Sequence, residues 1–122
     1  MKLSECIQEV RQEKPNTFGE DTLTGYINEL EAMVQNYLGV EPGDFVVYDW
    51  REDGSKELIV KHPHDVMYKS YLKAKMDYAN EEYHSYQNNQ AQFSADYEEW
   101  QAHALSRGEV NSKLPTGIKN WW

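Results

Sequence analysis

The chain has 122 residues, a length that fits one domain with a core large enough to fold without disulfides or a structural metal. Charged residues at 27% exclude a membrane protein, and aromatic residues at 13% exclude a disordered one, which leaves a soluble globular domain. A formal net charge of -9 with no basic stripe argues against nucleic-acid binding, because DNA affinity comes mainly from Lys and Arg neutralising phosphates.

The first ten residues lack the apolar run of a signal peptide, and no stretch is long enough to cross a membrane. Both observations point to a protein made and used in the cytoplasm. Residues 2–13 read as a short helix, with Leu3, Cys6, Ile7 and Val10 on one face and Pro15 as the stop. Cys6 is the only cysteine, so no internal disulfide forms, and its place on the apolar face predicts core packing. Residues 21–38 read as a second helix. Asp21 starts it, Leu23, Ile27, Leu30, Val34 and Leu38 repeat along it, and Gly39 closes it in the left-handed conformation.

Residues 40–61 change character. Phe45–Tyr48 with Trp50, and then Leu58–Val60, favour strand, and Asp53-Gly54 between them is a turn signal. A small β-hairpin over about 45–61 is the expectation, leaning on a helix or on a neighbouring subunit. A long helical pattern then runs from 64 to about 106, with Pro63 and Asp65 suited to its start. Tyr68, Leu72, Ala79, Tyr83, Tyr86, Phe93, Tyr97, Trp100 and Ala104 keep one face along it. A second seam of Met67, Tyr71, Ala74 and Tyr78 exists only in the first half, which should therefore be more buried. The helix either runs through Asn88-Asn89 or breaks there, since Asn disfavours helix interiors. Gly108 ends it. The fold class is thus mainly α: a small helical bundle with one long C-terminal helix and a small β-hairpin insertion, followed by a flexible tail at 109–122.

Catalytic and metal sites are not expected. His62 and His64 are too close together to share a helical face and lack a partner at metal spacing. His84 and His103 look solvated. Glu81-Glu82 and Glu98-Glu99 read as a solvated face, and Glu81 with His84 makes one copy of a pattern that di-metal bundles need twice. There is no phosphate loop, nucleophile elbow or His-Glu-x-x-His motif, so no cofactor is implied. The unusual feature is nine Tyr and four Trp, side chains with an apolar body and a polar tip that suit protein interfaces. Tyr68, Leu72, Tyr83, Tyr86, Phe93, Tyr97 and Trp100 form the expected core or assembly face. Trp50, Tyr71, Tyr78, Pro115, Trp121 and Trp122 lie off that seam and are the candidate partner-binding residues. The terminal Trp pair either packs on its own bundle or fills a pocket on a neighbour.

Four stretches in order carry a family resemblance. They are Glu13-Lys14-Pro15-Asn16-Thr17-Phe18 and Ile27-Asn28-Glu29-Leu30-Glu31-Ala32-Met33-Val34, then Asp65-Val66-Met67-Tyr68 with Tyr71–Asn80, then Glu82-Tyr83 and Tyr86–Asn89 with Phe93 and Tyr97. Over roughly residues 2–106 the chain resembles small head–tail connector (neck adaptor) proteins from prophages of Gram-positive bacteria. The resemblance implies that residues 1–108 are a connector-like domain. It further implies a ring of copies below the portal protein, joined to tail-completion proteins, through which DNA passes without sequence-specific binding. Its place would be the host cytoplasm during assembly and then the virion neck. The runner-up expectation is an acidic phage-encoded regulatory protein that binds a host factor.

Overall fold

The computed structural model describes residues 1–110; the predicted tail from 111 onward, with Pro115, Trp121 and Trp122, lies outside the described residues. The described residues form five helices: α1 (Leu3–Glu13), α2 (Glu20–Leu38), α3 (Trp50–Asp53), α4 (Val66–Ala79) and α5 (Tyr83–Ser106), with a short 3-10 turn at Pro42–Asp44. The fold is mainly α, as the periodicity predicts.

Helix α1 buries Leu3, Cys6, Ile7 and Val10, the apolar face expected of it. Glu5 Oε1 accepts from the Lys2 N–H at 2.8 Å and so satisfies a free donor at the helix start. Helix α2 ends where Gly39 takes a φ of 85°, and the Val40 N–H reaches back to the Gln35 carbonyl at 3.0 Å. Gly108 ends α5 in the same way, with φ 70° and the Glu109 N–H donating to the Ala104 carbonyl at 2.9 Å.

Two expectations are corrected. The helical pattern from 64 to 106 is neither continuous nor broken at Asn88-Asn89. It starts at Val66, after a turn containing the cis His62–Pro63 peptide, and it breaks at residues 80–82. Glu81 there has φ 59°, and the Glu82 N–H closes onto the Asp77 carbonyl at 2.9 Å. Asn89 instead lies inside α5, where its amide donates to Asp77 Oδ2 at 2.6 Å and ties the two helices together. Contacts 64 to 103, 71 to 93 and 78 to 86 show that α4 and α5 run antiparallel. Helix α4 is the more buried of the two and packs against α1, α2 and α5.

The second correction concerns the hairpin, which does not form. No strand is present among the described residues, and an isolated β-bridge joins Lys2 to Glu57. The turn region at 51–55 is mostly helix α3, whose start is capped by Asp49. The physical reason lies on α2, where Thr24, Asn28, Glu31 and Gln35 recur at helical spacing beside the apolar stripe. The Gln35 amide accepts from the Val46 N–H at 2.7 Å and donates to its carbonyl at 3.1 Å. Asn28 does the same for Tyr48 at 2.8 and 3.0 Å. Side-chain amides thus satisfy backbone groups that a second strand would otherwise satisfy.

The core joins the apolar faces of α1, α2 and α4 with Tyr48, Leu58 and Val60 from the irregular segment and Phe93, Trp100 and Ala104 from α5.

Candidate functional site

The turn between α4 and α5 gathers exposed aromatic side chains. Tyr78 and Tyr83 are 60% and 54% exposed, a large fraction for rings held in fixed packing. Tyr78 meets Tyr83 edge-on at 6.0 Å and Tyr86 at 5.2 Å between centroids. Tyr71, Lys75, Tyr78, Tyr86 and Gln90 line a groove of about 380 Å³. Glu29 on α2 fixes its floor. Its Oε1 accepts from the Tyr71 hydroxyl at 2.9 Å and pairs with the Lys75 ammonium at 3.1 Å. That ammonium also lies over the Tyr26 and Tyr71 rings, at 5.3 and 5.8 Å. Burial and the bond to Glu29 push the Tyr71 hydroxyl well above its ordinary range, so it stays a neutral donor.

The predicted site residues separate into three groups. Tyr68 and Leu72 are fully buried on α4, and Phe93 and Trp100 are buried on α5. Tyr97 is half-buried and stacks between Phe93 and Trp100, at 5.5 and 5.6 Å. These residues build the bundle. Tyr71, Tyr78 and Tyr86 line the groove and Tyr83 packs on Tyr78 beside it, so two residues assigned to the inward face share a surface with two assigned to partner contact. The helix break is the cause, because it turns the start of α5 away from the core. Trp50 stands apart, half-buried beside Tyr48 and Asn28.

Two buried carboxylates are not foreshadowed in the sequence reading. Glu31 has no exposed surface and accepts from the Tyr68 hydroxyl at 2.5 Å, the Tyr48 hydroxyl at 2.7 Å and the Ile59 N–H at 3.0 Å. Burial pushes its carboxyl above the usual range, against the pull of those three donors. Asp77 is also fully buried. Burial pushes it up, but the Lys14 ammonium at 2.7 Å and the Ser85 and Asn89 donors outweigh that and hold it below the usual range. The signal for Glu31 was its place in the polar stripe of α2. Polar residues at helical spacing ordinarily face water, so the stripe alone carried no warning.

Burial pushes the Cys6 thiol up to about 12, which keeps it protonated at neutral pH. His64 and His103, the latter expected to be solvated, are half-buried and stack at 4.6 Å. Among the described residues no group of three or more His, Cys, Asp and Glu is placed to hold a metal ion, and no helix is long and apolar enough to cross a membrane. No family model, curated protein or solved structure matches this chain.

Proposed function

We propose that the chain is a structural virion-assembly protein, a subunit of a head–tail connector ring that joins a phage portal to the tail and continues the DNA channel. The ordered residue pattern over roughly 2–106 supports this reading. The observation that carries it is the solvent-facing tyrosine groove at the α4–α5 turn. Packed tyrosines offer a large, rigid apolar surface with polar tips, the property of interface anchors. In this reading the groove docks a neighbouring copy, and portal and tail-completion proteins close the ring from either side. The protein works without catalytic residues, cofactor or metal, in the host cytoplasm and then in the virion neck. Its acidic character lets DNA pass without being gripped.

The test is to mix the purified chain with phage portal protein and to image the product by negative stain. Rings seated on the portal are expected, and Tyr78→Ala with Tyr83→Ala should abolish them while leaving helical content unchanged. A chain that stays monomeric beside the portal and binds one host protein instead supports the regulatory reading. The net charge of -9 favours that alternative, since an acidic surface can imitate nucleic acid.

A further inference from the structure

Residues 45–49 run extended, with Phe45 at φ -62°, ψ 134° and Asp49 at φ -105°, ψ 124°. In an extended chain the N–H and C=O of one residue point the same way, and those of the next point the opposite way. Val46 and Tyr48 direct both groups toward Gln35 and Asn28 on α2. The Val47 N–H and C=O and the Phe45 C=O therefore face away from the bundle, and they meet no hydrogen-bond partner among the described residues. The Val47 side chain is 69% exposed. The open edge stops at Asp49, whose C=O is taken up by the first turn of α3. Free backbone groups in register along an edge of β-favouring residues are a template for an added strand.

The charge beside the edge identifies the occupant. Glu41 and Asp44 precede it, Asp49 and Glu52 follow it, and all four are exposed. The Glu41, Asp44 and Glu52 carboxylates form no ion pair among the described residues, and Arg51 is the one cation from 41 to 53. A second copy pairing edge to edge would set these carboxylates against a duplicate set, and the two sets repel. An extended segment with cations on both sides of its paired residues meets complementary charge instead. The residue opposite Val47 packs beside an exposed valine, which favours a β-branched or aromatic side chain there.

We infer that the edge at 45–49 docks an extended basic segment of a partner protein by strand addition. The Val47 N–H and C=O and the Phe45 C=O bond its backbone, and its flanking Lys or Arg side chains meet Glu41, Asp44, Asp49 and Glu52. The edge shares no residue with the tyrosine groove, so its role stands whether or not the chain is a connector subunit.

The probe is a capped heptapeptide with a Val-Thr-Val centre and two lysines at each end, titrated into the full chain and followed by amide NMR. Saturable binding is expected that shifts the Val47 amide and slows its exchange at least about tenfold, while the Val46 and Tyr48 amides stay bonded to α2. Binding should weaken as salt rises. Val47→Pro removes the outward donor without touching the bonds at 46 and 48, so affinity should fall about tenfold. Glu41→Gln, Asp44→Asn and Glu52→Gln together should weaken binding and flatten its salt dependence. A Val47 amide indifferent to the peptide overturns the inference, as does binding that survives the charge variant or is matched by a peptide with glutamates in place of the lysines. Protection of Val47 in the chain alone also overturns it. The edge is then covered by the chain itself if that protection is constant, or by a second copy if it grows with protein concentration.

Discussion

Glu31 ties the irregular segment between α2 and α4 to both of those helices. Its carboxylate takes donors from Tyr48 and Ile59 on the irregular segment and from Tyr68 on α4. Each buried donor left unpaired costs about 1–3 kcal/mol, so Glu31→Ala is expected to destabilise the fold by at least about 3 kcal/mol in urea unfolding. Glu31→Gln, which keeps an acceptor, should lose less. The carboxyl is raised in the folded state, so its contribution is full in acid and declines as pH rises through the folded value. The Gln variant should lack that decline. Asp77 has the opposite sign. Its carboxyl is lowered, so its contribution is present above the unfolded value and is lost as pH falls through the folded one. Lys14→Met leaves this buried carboxylate without its cation and is expected to cost about 3 kcal/mol at neutral pH. The loss should shrink in acid, where Asp77 is protonated. Equal losses at both pH values would refute the pairing.

At the scale of elements, the turn between α4 and α5 places Glu81 in the left-handed region, which costs a side-chain-bearing residue roughly 1–2 kcal/mol. Glu81→Gly removes that strain and should raise stability by up to about 1 kcal/mol after the added freedom of the unfolded chain is counted. A thermal melt checks it, and a lower melting temperature would show that Glu81 makes compensating contacts. Helix α5 has 24 residues but buries only Phe93, Trp100 and Ala104. Phe93→Ala or Trp100→Ala should therefore each destabilise by about 3–5 kcal/mol, because each leaves a cavity where a buried ring packs α5 onto the core. Ala substitutions at the exposed Tyr78 or Tyr83 should leave the melt nearly unchanged, which separates the groove from the core.

For the whole molecule, acidic charge and an aromatic groove pull in different directions. Like-charged copies repel, so in dilute solution the chain should be a monomer or small oligomer by light scattering, with assembly driven by a partner surface. Tight DNA binding at physiological salt would contradict this, since too few cations are present to neutralise phosphates.

Helices α1 and α2 and the stops at Gly39 and Gly108 were legible in the residue pattern, because apolar residues at helical spacing and a glycine able to take positive φ act locally. The greater burial of α4 over α5 was legible too, through the second apolar seam that only the first half carries. The rest depended on contacts between segments far apart in the chain. Residues 45–48 have strand character, but the nearest donors and acceptors proved to be Asn28 and Gln35, distant in sequence and polar, so a side-chain ladder displaced the hairpin. The helix broke at Glu81 because burial of Asp77 with Lys14, Ser85 and Asn89 requires α5 to fold back on α4. A periodic pattern states which face is apolar; it does not state which neighbour will be there to cover it. That is why Tyr83 and Tyr86, in register with the core seam, ended up beside Tyr71 and Tyr78 on the surface.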